Sequence, residues 1–359
     1  MITLFGATGY TGQRVAWALA QRDQPFRLAG RSPNKLERLA ASLPQPPVWL
    51  VADATQPNTL SPLFEDTTVL VNCAGPFTDL GEPVLAQAAL SGVHYLDTTN
   101  ELGYVYRMQG YDPLAQRSRC ALVPSCGFEV ALADCAAAVL AKLLAASEGQ
   151  ALDQIDVFYD IHGRGSSLGS RRSAVRALAT SWLGYRQGQW QPTTPCREGG
   201  RVQLPHGPRP ILSFPSSEIV TVPHHLAVHQ VKTWTTVSWH ALPWAPLVLP
   251  VFAWLVRGPV GRLVEVAVTR ISPPPQRGLR SADPFVIRIE AHRADEQQAL
   301  ILTGKGVYDL TAEIVAYAAN QMAQPSYGKA GVLPPARALD PQALLDEAVA
   351  HWTVDLQYD

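Results

Sequence analysis

Along the first third of the chain, short apolar runs alternate with amphipathic stretches. Ile2–Gly6, Phe26–Gly30, Val48–Ala52, Val69–Asn72, Val93–Asp97 and Cys120–Pro124 predict six strands. Between them, Gly12–Arg22, a segment from Ser32 to near Ser42, a short stretch around Leu60–Phe64 and Pro83–Ser91 predict helices. Ser32 as N-cap, with Pro33 in the first helical position, suits the second of these. Such alternation predicts an α/β fold: an N-terminal Rossmann doubly wound parallel sheet, helices on both faces, with right-handed crossovers.

Beyond Phe128 the pattern changes. Val130–Ala146 predicts a long helix, and Gln154–Ile161, Ser217–Val222, Val231–Trp239, Val264–Val268, Pro284–Ala291 and Gln298–Gly304 predict strands. Helices are expected at Ser170–Leu183 and Leu310–Met322, and loops at the Gly/Pro-rich 187–210 and 272–284. This is the pattern of a second α+β substrate domain. The expected division is a dinucleotide-binding domain over 1–127, the substrate domain over 128–325, and a tail, 326–359, packing back on the first domain.

One run fits neither template. "ALPWAPLVLPVFAWLVRGPVG" has sixteen uncharged residues between His240 and Arg257. A membrane span needs about twenty residues, and Pro243, Pro246 and Pro250 interrupt a helix. The run reads as a buried hairpin or the wall of a lipid pocket. Peripheral membrane contact through 241–256 is the alternative, since Trp244 and Trp254 suit an interface.

Composition narrows the function. With 29 basic against 30 acidic residues, the chain has no overall field to attract nucleic acid. The cysteines at 73, 120, 126, 135 and 196 are odd in number and form no CxxC, which argues against structural zinc and for a reduced, cytoplasmic setting.

The chemistry begins at "GATGYTG". A glycine turn between a first strand and a helix brings backbone N–H groups and a positive helix end against a pyrophosphate. Gly6 would permit the tight turn, Gly9 the approach of phosphate, and Gly12 the packing of helix on strand, with Ala7, Thr8, Tyr10 and Thr11 completing the loop. At the end of the second strand, where NAD sites carry an acid, stands Arg31. Its fork, with Ser32 and Lys35, suits a 2′-phosphate, so NADP(H) is the expected cofactor. Asp53 is either an adenine-side contact or an N-cap. Asn72, Cys73, Ala74, Gly75 and Pro76 end the fourth strand where the nicotinamide ribose would lie, with Phe77 beside them.

Candidates for catalysis are weaker. Asp97, with Thr98, Glu101 and Tyr95 near it, could orient a donor, bind a polar head or serve as a strand-end carboxylate bonding backbone N–H groups; Tyr104 and Tyr106 could give protons or be helix-face core. Cys126, in the cleft between domains, would need a lowered pKa. His225 and His229 have i, i+4 spacing, but their segment reads as a strand end and turn, and no metal is expected. Arg171, Arg172 and Arg176 with Ser166, Ser167 and Ser170 could bind an anion or form a solvated helix face.

"GATGYTG", "LAGRSPNKLERLA", "VLVNCAGPF", "GEPVLAQAALSGVHYLDTTNE" and "PSCGF" together resemble the NADP-binding domain of saccharopine dehydrogenase-like oxidoreductases. The resemblance is closest to the branch with the trans-acting enoyl reductases, and it is strong over about residues 1–130. It implies a Rossmann domain, a second substrate domain, a nicotinamide cofactor and hydride transfer. Saccharopine enzymes clamp an amino-dicarboxylate with several cations, whereas the region after 210 here is rich in Trp, Pro, Leu and Val. The expected substrate is therefore a hydrophobic or amphipathic small molecule with an enoyl or carbonyl group. A non-catalytic lipid-binding protein and a saccharopine-type dehydrogenase are the alternatives; a homodimer is left open.

Overall fold

The structure, a computed structural model, describes residues 1–22, 24–144, 151–161, 183–257 and 283–359, with Gly261, Val264 and Ala267 besides. The chain forms two compact units. The first comprises Met1–Thr99, Tyr104–Ala131 and Tyr308–Leu339. Its six main strands are β1 (Ile2–Phe5), β2 (Phe26–Gly30), β3 (Trp49–Val51), β4 (Val69–Asn72), β5 (His94–Asp97) and β6 (Ala121–Val123). They lie in the order β6-β5-β4-β1-β2-β3, all parallel, and Gly331–Val332 pairs beside β6. That is the doubly wound order, whose reversal between β1 and β4 opens a crevice at the carboxyl edge. β1 and β4 are buried at every residue, as expected of parallel strands covered on both faces. The edge strand β3 leaves Trp49 and Val51 exposed.

The helices differ from expectation where proline misleads. The third runs Phe77–Ser91, starting six residues before Pro83, which lies inside it; Pro76 stands at the N-cap and Gly92, in the left-handed region at φ 67°, ends it. A proline compatible with helical φ does not mark a start wherever it occurs. Around Leu60 the chain makes two 3₁₀ turns, Pro57–Thr59 and Ser61–Leu63. Ser32 does occupy an N-cap, without a side-chain bond. The helix Val307–Met322 packs in the first unit: Asp309 pairs with Arg14 at 3.0 Å, Glu313 with Arg22 at 2.5 Å, and Tyr308 meets Tyr10 edge-on.

The second unit comprises Asn100–Gly103, Leu132–Val307 and Asp340–Asp359. Its strands are β7 (Leu152–Ile161), β8 (Leu183–Arg186), β9 (Gln189–Pro192), β10 (Gly199–Leu204), β11 (Gly207–Ser213), β12 (Val228–Thr236), β13 (Pro284–Arg293) and β14 (Glu296–Lys305). The main path runs β10-β11-β12-β7-β13-β14, and Val354–Tyr358 closes it against β14. One face is cored by Phe158, Val202, Leu204, Ile211, Trp234, Val286 and Ile301.

Four readings of this half are corrected. The expected loop 187–210 holds β9, β10 and the start of β11, because Gly199–Leu204 alternates exposed and buried positions despite its glycines. Ser217–Val222 is a helical turn, Glu218–Thr221, followed by a 3₁₀ turn; its β-branched residues are buried by packing rather than by pairing. Gly261, Val264 and Ala267 are helical where a strand was expected. The tail divides: residues to Leu339 stay with the first unit, while Asp340–Asp359 joins the second through its pairing with β14. Of the expected helix Ser170–Leu183, residues 170–182, with its arginines, lie outside the described residues, and Leu183 opens β8 instead.

Leu4, fully buried between Val71 and Leu28 on neighbouring strands, carries the prediction that follows. Leu4→Ala should cost about 2–5 kcal/mol in urea denaturation, whereas Val51→Ala, half-exposed on the edge strand, should change stability by no more than about 0.5 kcal/mol.

Candidate active site

The glycine turn lies between β1 and the helix Tyr10–Gln21. Gly6 holds φ at 76°, and a Cβ there would come within 2.7 Å of the backbone of Cys73 and Ala74. At Gly12 a Cβ would come within 2.3 Å of the Gly6 carbonyl oxygen. Both positions exclude any side chain by rigid backbone contact. Gly9 is different: it is exposed, and a Cβ would meet only the Gly6 oxygen, at 3.2 Å. The space over Gly9 thus opens outward, in front of a helix whose N-cap carries no side chain. A pyrophosphate fits such a place, drawn by the backbone N–H groups and the helix dipole.

The rest of the loop is pinned from behind. Ala7 is buried and its N–H donates to Ala29 at 3.1 Å, fastening the turn to β2. Gln13 Nε2 donates to the Thr8 carbonyl at 2.9 Å. The Tyr10 ring packs on Arg14 and Tyr308, and its hydroxyl accepts from Arg14. Thr11 is half-buried. At the end of β2, Arg31 and Lys35 are exposed and Ser32 is half-buried. The structure sets no acid in the place Arg31 occupies. Asp53 accepts from the Thr55 N–H and hydroxyl, both at 2.9 Å, and these bonds, with Arg31 nearby, hold its pKa below the usual carboxylate value. Its carboxylate therefore closes a turn.

Beside the cradle lies a buried polar cluster that spacing alone did not reveal. Asp97, at the end of β5, is wholly inaccessible to water. Its Oδ1 accepts from the N–H groups of Thr99 and Ser125, both at 3.0 Å; its Oδ2 accepts from the hydroxyls of Tyr95 at 2.8 Å and Tyr104 at 3.2 Å. Asn72 donates to the Tyr95 hydroxyl at 3.1 Å and accepts from the Ala74 N–H at 2.9 Å. The turn from Asn72 to Pro76, with a cis Gly75–Pro76 peptide, is thus braced through Tyr95 by Asp97. Ser125 sits at φ 68°, in the left-handed region, where the bond to Asp97 secures it.

Burial pushes the Asp97 carboxyl up to about 6 despite these four donors, and burial also raises both tyrosines, which stay protonated and donate. The cluster positions loops. Asp97 and Cys126 were the candidate catalytic groups, and both are fully buried. Of the two tyrosines weighed as donors, Tyr104 is locked in this cluster against Gly81, where a Cβ would fall within 2.8 Å of its hydroxyl; Tyr106 is exposed. Asn100 and Glu101 belong to the second unit, where Asn100 Oδ1 accepts from Ser216 and Ser217.

The histidines lie on a turn and a strand, as their segment was read. His225 follows a 3₁₀ turn and holds the buried Asp134 at 2.8 Å, while His229 is on β12. Among the described residues, Asp156, Glu290 and His292 bring ligand atoms within 4.8 Å of one another. Trp234 already donates to Asp156 and Arg288 to Glu290, so this group is held by protein donors on the sheet face.

Residues 2–122 match the family model for the saccharopine dehydrogenase NADP-binding domain. Over these residues the N-terminal unit is similar to that domain. A nicotinamide dinucleotide is the cofactor of such a domain. The trans-acting enoyl reductase of Mycobacterium ulcerans is 38% identical over 139 residues, which are 36% of this chain and 32% of that protein. A saccharopine dehydrogenase-like oxidoreductase of Arabidopsis thaliana is 33% identical over 143 residues, with the same coverage. The match thus spans about a third of the length of these relatives. The apo saccharopine dehydrogenase (L-Glu forming) of Saccharomyces cerevisiae shares the fold over 100% of this chain and 99% of its own, with a TM-score of 0.67 at 14% identity.

Because Asp97 is protonated more readily in the folded chain than at its ordinary 3.8, its protonated form favours folding. That contribution is complete below about pH 4 and is lost as pH rises through about 6. Asp97→Asn keeps an acceptor for both N–H groups. Between about pH 4 and pH 8, wild type should lose about 2–3 kcal/mol more than this variant in urea denaturation.

Proposed function

We propose that this chain is an NADP(H)-dependent oxidoreductase that passes a hydride to or from an enoyl or carbonyl group of a hydrophobic or amphipathic small molecule. The observation that carries the reading is Arg31, exposed at the end of β2 where an acid would select NAD, beside a glycine cradle in an NADP-binding domain. Its guanidinium offers two parallel donors to a 2′-phosphate, and Lys35 adds charge one helical turn on. The Gly6–Gly12 backbone takes the pyrophosphate. The turn Asn72–Pro76 borders the nicotinamide ribose, held in place by the Asn72 and Asp97 bonds described above.

The bound nicotinamide supplies or accepts the hydride; the protein's work is to bind, orient and exclude water. An apolar substrate is supported by how several of the described cations of the second unit are engaged. Arg186 and Lys232 share Glu198, Arg288 holds Glu290 and Asp359, and Arg209 reaches Asp160 at 3.7 Å. Cations so engaged do not form the clamp that an amino-dicarboxylate needs. The name of the mycobacterial relatives, trans-acting enoyl reductase, points the same way.

Calorimetric titration of wild type and Arg31→Ala with NADPH and NADH tests this. Loss of a charge-assisted contact costs about 1.5–3 kcal/mol, so NADPH affinity should fall roughly 10- to 150-fold in the variant while NADH affinity barely changes. Wild type that binds neither nucleotide, or a variant that loses both equally, counts against the reading. Oxidation of NADPH with long-chain enals and enones, and none with an α-keto acid plus an amino acid, is the expected substrate profile.

A further inference from the structure

The apolar run that fitted no template forms a helix, Ala245–Arg257, with Pro250 inside it, in place of the expected buried hairpin. It packs on the second unit by a narrow face. Ala245, Ala253 and Val256 are buried; Ala245 joins Cys196 and Leu212 in a small core with Leu249 against it. Close packing comes from Gly199, where a Cβ would fall within 3.1 Å of Leu242 and 3.6 Å of Pro246. The outer face is apolar too: Trp244 is 67% exposed, Leu247 66%, Val248 57%, Val251 57%, Trp254 65% and Leu255 44%. A helix apolar all round is stable when both sides are covered, and the described residues cover one.

We propose that the outer face of Ala245–Arg257 is a lipid-binding surface by which the protein lies against an anionic bilayer. Charge selects this occupant. From Val237 to Arg257 there is no Asp or Glu, and Arg257 ends the helix. Arg201, exposed on neighbouring β10, stands over the Trp239 ring at 5.1 Å. Cations around an apolar face rimmed by Trp239, Trp244 and Trp254 match a layer of anionic headgroups over hydrocarbon. A second copy fits less well, because a two-fold contact sets this face against itself and opposes like charges. Length fixes the orientation. Thirteen residues rise about 20 Å, short of the roughly 30 Å hydrocarbon core, so the helix lies in the plane of the interface. No helix of the described residues is long and apolar enough to cross a membrane. The surface is independent of the reaction proposed above.

The test is co-sedimentation with vesicles of phosphatidylcholine alone and of phosphatidylcholine mixed with phosphatidylglycerol. Wild type should pellet with the mixed vesicles, with a blue shift of tryptophan emission. Trp244→Asp/Trp254→Asp should lower partitioning about tenfold or more, with an unchanged thermal midpoint because both side chains are exposed. Val248→Glu should act likewise without removing a fluorophore, and Arg201→Glu/Arg257→Glu should weaken binding to the mixed vesicles selectively. Wild type that stays in the supernatant with both vesicles overturns the proposal. So does a solution dimer that ignores vesicles and that Trp244→Asp/Trp254→Asp converts to monomer.

Discussion

A carboxylate shut away from water needs its hydrogen bonds from the protein, and Asp97 collects four. Their sources explain why the first unit is built as it is. Two are backbone N–H groups in the loops after β5 and β6, and two are hydroxyls, one of which, on Tyr95, also receives Asn72 from the end of β4. One buried group thereby fixes three neighbouring loops at the carboxyl edge of the sheet, where ligands of open α/β folds bind. The arrangement resists piecemeal change. Removing either tyrosine hydroxyl leaves a buried carboxylate with fewer donors, a larger loss than one ordinary hydrogen bond.

The glycine turn is the second fixed feature, and it depends on the first. Gly6 is pressed against Cys73 and Ala74, so the glycine turn and the turn after β4 are packed backbone to backbone. Asn72 holds the second of these by its bond to Ala74. The two constraints together give a rigid cradle with one open side, over Gly9 and toward Arg31. They concern backbone geometry, in the part of the chain, residues 2–122, that matches the NADP-binding family model. Taken whole, the chain shares the fold of the yeast saccharopine dehydrogenase at 14% identity, as expected where apolar patterning rather than particular residues is required of a sheet.

Legibility in the sequence followed the same division. Phe26–Gly30 and Val69–Asn72 were read to the residue, since buried parallel strands are continuous apolar runs bounded by turn residues. The cradle glycines and Arg31 were equally plain, because their spacing is itself the signal. Asp97 was read as a strand-end acid, yet its partners at 95, 99, 104 and 125, with Asn72 behind Tyr95, are brought together by the fold, and no local pattern announces such a cluster. Proline misled three times: at Pro83, inside the helix Phe77–Ser91; at Pro208 and Pro210, in a strand taken for loop; and at Pro250, in a helix taken for a hairpin. In each case tertiary packing outweighed a local preference.

The most direct test of the account is a crystal structure of the chain with NADPH bound. The account predicts the pyrophosphate over Gly9 against the backbone of the glycine turn, and the 2′-phosphate within hydrogen-bond distance of the Arg31 guanidinium. A 2′-phosphate in solvent away from Arg31, or a nucleotide seated elsewhere on the protein, would contradict it.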